Sequence, residues 1–560
     1  MSSPTLACTA DRDATVEDAA HKSGRHRTIV LALALGALAF AWANMAFISR
    51  TDPWYRNTDM NIHNMVDALA INSDLAPNPF AQPGVPLKYL LALDFRIRHE
   101  LGILSAWNMR QFGNSPDPLG EIRHLVGIER VHSRVLVMGL ILAAAWLVRT
   151  LTQQTDAACL AIILLCGSSG LLFQGLLSRP ELLCVAFGNV LALLCTWRGT
   201  LSPTNLGRSG WLFLAGLLGG LAMLEKLPGI CYVGVCYTWC WLAAWLGSAQ
   251  ARPEKIAGYW HGAIPATAAA AVLLLLSVME PFHDDLGPVV LLRLRVAATI
   301  IGLLPLVALW PGASRGGVFL RERARELALL GGGALAAFPL SYALLRGVMS
   351  EPQASRYMTG VLHFLVNPAP YMKNFLVTDP DMVREFKLFV LEAPVLFLGA
   401  LLLSIVLAFA RAAPMRLKAF TGLLLVTAMG LTLLMSRRHF YAQYSIFPQV
   451  PLALIWALSI FGLSLGRRAG ESADGPHWTA PLFITAAFLL MLPAWFTTKL
   501  VYHSFQYDYT LPVNPLTVTF LYDHDAHIPA YRQIMQEHYG SREKFATNLQ
   551  KYLADPANRR

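Results

Sequence analysis

The chain reads as an all-α polytopic membrane protein with about 13 transmembrane helices, and three observations predict that class. Its 560 residues are 55% hydrophobic and 14% charged, whereas soluble domains carry about 25% charged residues. Mostly apolar runs, each long enough to cross ~30 Å of hydrocarbon, recur from Thr28 to Phe496. The basic residues fall mainly in alternate short loops, as they do when positive loops stay in the cytoplasm. This last pattern accounts for the net charge of +10 without a nucleic-acid partner, and none is expected.

The first span, 29–48, follows a polar tail (1–28) and has no small-residue cleavage site after it, so it reads as a retained helix rather than a signal peptide. Further spans fall at 132–150, 157–176, 180–197, 210–224, 228–246, 260–279, 288–310, 327–349, 388–410, 417–435, 444–465 and 480–497. The tail carries Arg12, Lys22, Arg25 and Arg27. The loops with Arg198 and Arg208, Arg252 and Lys255, Arg315 to Arg325, Arg411 to Lys418, and Arg467 and Arg468 fall on the same side of this count, while the acidic loop Glu280 to Asp285 falls on the other. Positive-inside orientation then places the N-terminus in the cytoplasm and, with an odd count, the C-terminus outside. Arg outnumbers Lys, and Ala and Leu abound, a composition of GC-rich bacteria. A bacterial inner membrane with outside loops in the periplasm is the expected location.

Three polar segments lie outside: 49–131, 350–387 and 498–560. In the first, Ile62, Met65, Val66, Leu69 and Ala70 recur at helical spacing until Pro77-Asn78-Pro79 stops the pattern. A second apolar stretch, Val85 to Leu93, follows Gln82-Pro83-Gly84. Both read as amphipathic juxtamembrane helices lying on the bilayer face. Asn367 to Pro380 reads as a loop, and the tail is too short and polar for a sizeable independent domain. Cysteines sit in the N-terminal tail or in apolar spans, which indicates no disulfide framework and no zinc spacing.

Chemistry-bearing residues gather on the outside. Asp59 stands at the start of the first predicted loop helix, where an acid suits the positive end of the helix dipole and would also serve as a base. Ser178-Arg179-Pro180-Glu181 is a minimal turn; Pro180 and Glu181 are ordinary helix-start residues, but Arg179 is a cation on the side that avoids them. Leu224-Glu225-Lys226-Leu227-Pro228-Gly229 is a second minimal turn, whose charges also suit interface snorkelling. Ser436-Arg437-Arg438-His439-Phe440-Tyr441 again places cations outside, and Arg293 and Arg295 lie within a span near its outside end. Intramembrane arginines require partners or an anionic ligand, and the guanidinium fork matches phosphate oxygens. The constellation suits a lipid-phosphate substrate with one general base.

These motifs, in this order, resemble the GT-C superfamily of glycosyltransferases that use polyprenyl-phosphate sugars, and within it the branch of lipid A aminoarabinose transferases and protein O-mannosyltransferases. Asp59-Met60 stands where members carry a first-loop Asp, and Gln82-Pro83-Gly84-Val85-Pro86 resembles the proline step that follows. Ser133-Arg134-Val135-Leu136 resembles the Arg-led second span. Arg179-Pro180-Glu181 resembles the hairpin before the fourth, Glu225-Lys226-Leu227-Pro228-Gly229 the Lys-Gly turn, and Arg438-His439-Phe440-Tyr441 with Phe447-Pro448 the late basic-aromatic-proline motif. The likeness covers the first half of the chain well and the second loosely. Met60 stands where a second acid is frequent, and Gln82 where a His or basic residue is common, leaving Lys88 as a candidate for that phosphate contact.

The resemblance implies a GT-C-like module over 29–350 including the loop 49–131, C-terminal helices over 351–497 with the loop 350–387, and the outside tail 498–560. It implies sugar transfer from a polyprenyl-phosphate donor to a hydroxyl of a lipid, glycan or protein, inverting, with Asp59 as general base. Arg179, Glu181, Lys226, Arg437, Arg438, His439, Lys88, Arg134 and Arg293 would bind substrate. No metal is implied, because few oxygen ligands beyond Asp59 and Glu181 are in view, and no cofactor beyond the donor. The alternatives are a transporter or lipid flippase, against which stands the lack of two halves of similar hydropathy, and an inactive scaffold of the same fold.

Overall fold

The computed structural model describes residues 7–51, 53–78, 84–247, 315–366, 379–411, 413–437, 444–468, 515–523 and 528–558, with isolated positions at 296, 299 and 485. The described elements are helical. Among the described residues, eight helices are long and apolar enough to cross a membrane, or nine if one bent pair is a single span. The predicted spans 260–279, 288–310 and 480–497 lie outside the described residues.

The first helix, α1 (Ala7–Thr51), is continuous from the polar tail into the first span. Its buried stripe is Val30, Ala34, Ala37, Ala41, Met45 and Ile48, spaced by three and four residues as one helix face requires, while Leu35 and Phe47 turn outward to lipid. After it come α2 (Thr58–Ile71) and α3 (Val85–Glu100). Helix α4 (Pro118–Thr152) starts on an Asp117 cap that accepts the Gly120 N–H, with Pro118 in its first turn, so the chain enters the second span with its end groups satisfied. The predicted span 157–176 is not one helix. It divides into α5 (Thr155–Cys166) and α6 (Ser169–Gln174), and the Ser168 hydroxyl caps the second piece.

Helix α7 (Pro180–Leu201) contains a π turn over Ala186–Ala192. It leads to α8 (Asn205–Glu225), α9 (Gly229–Gly247) and, further on, α10 (Arg315–Arg346). Helices α8 and α10 touch backbone to backbone. A Cβ on Gly216 would lie 2.1 Å from the Leu330 carbonyl oxygen, and one on Gly333 2.1 Å from that of Phe213; in a bilayer, where burial of apolar surface gives little drive, such small-residue contact holds helices together. Then come α11 (Glu351–Val366), α12 (Asp379–Glu392), α13 (Pro394–Phe409), α14 (Met415–Ser436) and α15 (Ile446–Arg468). The predicted span 388–410 is bent by 89° between α12 and α13, where Pro394 cannot continue the preceding ladder. The chain ends in α16 (Pro529–Tyr539) and α17 (Arg542–Ala554).

Two cores divide the molecule. One joins α1, α4 to α9 and α12 to α15 into the bundle. The other is a cap built from the first loop, α11 and the C-terminal helices, meeting the bundle at Leu224, Ala337 and Phe338. Phe112 stacks on Tyr531 at 5.7 Å, the Trp54 indole donates to the Asn558 carbonyl at 2.9 Å, and the Ser350 N–H donates to Asp74 at 2.6 Å. All three predicted polar segments thus contribute to one layer. Helix α2 departs from the sequence expectation: every residue from Ile62 to Ile71 is buried, because α3, α4 and the tail segment Thr519–Asp523 pack around it. Helix α3 keeps an outer face, with Leu93, Arg96, Ile97 and Glu100 exposed. At the opposite end of α8 and α10, Arg208 and Arg323 share Glu326, Arg323 also reaches the Cys240 carbonyl, and Arg325 donates to the Ser209 hydroxyl.

Candidate active site beneath the cap

Two short turns meet where cap and bundle join. In the first, Arg179 is the N-cap residue of α7 and extended, while Glu181 occupies the helix's first turn. The Arg179 guanidinium donates to both Glu181 oxygens, Nε at 3.2 Å and Nη2 at 3.3 Å. In the second, Lys226 ends α8 and its ammonium also pairs with Glu181. Glu181 is fully buried, and Arg179 and Lys226 are 2% and 8% exposed. The Lys226 ammonium further lies 4.8 Å from the Tyr444 ring centroid, a cation–π contact. Among the described residues, two cations thus share one carboxylate.

A second ion pair lies alongside. Lys88 of α3 contacts Asp67 of α2 at 2.8 Å, with both side chains buried, and donates to the Asn78 carbonyl at 3.0 Å. It also lies 5.7 Å from the Tyr357 ring centroid. Burial pushes the Tyr357 hydroxyl pKa well up, and the charges of Asp67 and Glu225 add to that, so this tyrosine stays a neutral phenol. Glu225 joins α8 to α3: its carboxylate accepts the Leu87 N–H at 2.8 Å, and its carbonyl accepts the Gly84 N–H at 3.2 Å. Gly84 has φ +50°, a conformation that suits glycine.

Helix α2 reaches the first turn directly, for the Asn64 amide donates to the Ser178 carbonyl at 2.6 Å. Asp59 is the second residue of α2. Five residues at ~1.5 Å each put its backbone about 7.5 Å along the helix axis from Asn64; its side chain lies outside the described residues. Arg437 ends α14, and Arg438, His439, Arg293 and Gln82 also lie outside the described residues. Arg134 of α4 is buried and sits 5.6 Å from the Trp42 ring centroid, toward α1 rather than among these turns. Among the described residues no three His, Cys, Asp or Glu side chains converge as a metal site would require.

The sequence pattern draws attention to the cations and to Glu181, and passes over the other partners. Asp67, Glu225 and Tyr444 are the additions. Asp67 alone carries a signal, as an acid amid the apolar positions of α2. Chemically, the arrangement offers a pre-formed buried cluster of two cations on one carboxylate, next to a helix whose start bears an acid.

No family model and no curated protein matches the chain. Among solved structures, the chain is similar to the archaeal oligosaccharyltransferase AglB from Archaeoglobus fulgidus in complex with an inhibitory peptide and a dolichol-phosphate, at 15% identity and TM-score 0.49, over 90% of this chain and 59% of that one. It thus spans less than two thirds of that protein's length. It is also similar to ArnT from Cupriavidus metallidurans bound to undecaprenyl phosphate, at 14% identity and TM-score 0.30, over 79% of this chain and 78% of that one.

Proposed function

We propose that the protein is a membrane glycosyltransferase. It moves a sugar from a polyprenyl-phosphate donor to a hydroxyl of a lipid, glycan or protein, in the periplasm of a bacterium, at the cap side of the bundle. The observation that carries this reading is the buried cluster in which Arg179 and Lys226 share Glu181, tied through Ser178 to the helix that Asp59 opens.

The Asp59 carboxylate takes the proton of the acceptor hydroxyl as that oxygen attacks the anomeric carbon. The bond from that carbon to the phosphate oxygen breaks, and the lipid phosphate leaves with the electron pair. One displacement inverts the carbon. A positioned base of this kind accelerates by about 10²–10⁴-fold. Arg179 and Lys226 stabilise the departing phosphate, with Arg437, Arg438, His439 and Arg293 as further candidates. Cations held in place before reaction stabilise developing charge without reorganising. Helix-start placement favours the ionised form of Asp59 that a base requires.

The test is Asp59→Asn, assayed with purified protein, a labelled polyprenyl-phosphate sugar and an envelope acceptor fraction, with mass analysis of products. The variant should insert, bind polyprenyl phosphate and transfer almost no sugar. Undiminished transfer removes Asp59 from the mechanism. Absence of transfer by wild type across several donors, with substrate moved across the bilayer unchanged, would identify a transporter instead.

A further inference from the structure

A polar clasp lies beside the cation cluster and belongs to none of the steps above. It gathers at the break between α5 and α6, the 89° bend between α12 and α13, and the start of α15. The Gln449 side chain, fully buried, accepts from the Ser168 hydroxyl at 2.6 Å and the Gly170 N–H at 2.9 Å, and donates to the Ser169 hydroxyl at 3.1 Å. Glu392, the last residue of α12, accepts from the Ser169 hydroxyl at 2.9 Å through one oxygen and from the Ser445 hydroxyl through the other. A Cβ on Gly170 would lie 2.7 Å from the Ile446 nitrogen, so the two chain segments meet at backbone distance.

Ser445 is the neighbour of Tyr444, whose ring covers the Lys226 ammonium. A lysine ammonium is a point charge on a flexible four-carbon stem. Two groups restrain this one: Glu181 and the Tyr444 ring. Gln449 already fastens α6 to α15, so packing of those two elements does not call for Glu392 as well. Besides tying α12 to Ser169, Glu392 adds a hydrogen bond to the residue beside Tyr444. We propose that Glu392 is a positioning residue for the lipid-phosphate site, acting through Ser445 to hold the Tyr444 ring over Lys226. The proposal rests on the lipid-phosphate reading above and extends it to the half of the chain where the sequence resemblance is loose.

The experiment measures binding of undecaprenyl phosphate to the purified full-length protein, with neutral undecaprenol as control and thermal unfolding alongside. Glu392→Ala should weaken phosphate binding by about tenfold, the scale of one partly desolvated cation–π contact, and leave undecaprenol binding unchanged. Tyr444→Ala should do the same, and the double variant should be no weaker than either single one, because both remove one arrangement. Glu392→Gln keeps an acceptor for Ser445 and should bind nearly as wild type does. Should Glu392→Ala fail to fold, Ser445→Ala breaks the same hydrogen bond from the other side. Unchanged phosphate affinity in Glu392→Ala or Ser445→Ala, whatever the change in melting, would overturn the proposal and leave a structural clasp; so would additive losses in the double variant. Failure of wild type itself to bind undecaprenyl phosphate would overturn the functional reading instead, and the proposal with it.

Discussion

Replacing Glu181 with Gln tests whether the buried cations face a phosphate or only brace two turns. The change keeps the shape of the side chain and removes its charge. Arg179 and Lys226 both pair with Glu181, and loss of one partner from a buried ion pair costs about 3–5 kcal/mol. The ligand-free variant should therefore melt well below wild type. The cluster meanwhile loses one negative charge, since both cations remain and the Glu181 carboxylate is gone. Unit charges about 4 Å apart attract by about 4 kcal/mol at an effective dielectric near 20. A lipid phosphate entering this site therefore gains a large part of what the variant lost. With 1.4 kcal/mol per tenfold, a third of that attraction already tightens binding by about tenfold. The expected result is a variant less stable when empty, more strongly stabilised by undecaprenyl phosphate than wild type is, and indifferent to undecaprenol. Melting curves of detergent-purified protein with each lipid supply the measurement. Equal or weaker phosphate affinity in Glu181→Gln would refute the reasoning and reduce Arg179 and Lys226 to structural ties.

Further outcomes follow from the same geometry. Asp67→Asn breaks the buried ion pair with Lys88 and should cost about 3–5 kcal/mol, whereas Asp67→Leu combined with Lys88→Met should recover most of the loss; thermal unfolding reads both. Gly333→Val forces a side chain onto the Phe213 backbone and should abolish monodisperse protein in size-exclusion chromatography, while Gly234→Ala, with open space around it, should not. Burial favours the neutral acid at Asp94, but hydrogen bonds from His132 and Arg98 outweigh it and hold the pKa below the ordinary 3.8. The stability Asp94 provides is therefore present above that value and lost as pH falls through the lowered one. Asp94→Asn should melt below wild type at neutral pH and match it in strong acid. Single cysteines at Ser73 and Asn548, both in the cap, should react with impermeant reagent from outside the cell, and those replacing Arg208 or Arg323 should not; the reverse labelling would invert the topology.

The spans were legible because crossing a bilayer is a one-dimensional demand: an apolar run of the right length shows in the sequence whatever it packs against. The exceptions are instructive. The break at Ser168 sits inside an apolar run, and the Gln449 side chain, brought in from a distant helix, adds hydrogen bonds to the Ser168 cap where the ladder stops. The spacing of Ile62, Met65, Val66, Leu69 and Ala70 marks one apolar face of α2, yet that helix is covered all round, because periodicity records what a helix offers and not how many neighbours take it up.

The site was legible in half. A cation on the side that the positive-inside trend leaves poor in positive charge stands out, as does Glu181 in its minimal turn, but Asp67, which answers Lys88, shows only as one acid amid the apolar positions of α2. Asp67 answers Lys88 and Glu181 answers Arg179 and Lys226, so the bare count of outside cations overstates the charge available to a phosphate. Two buried cations around a shared carboxylate are far less costly to hold than bare ones would be. On the proposed reading, a lipid phosphate would compete with Glu181 for Arg179 and Lys226, so the pairing that stabilises the two turns would also set the strength of donor binding.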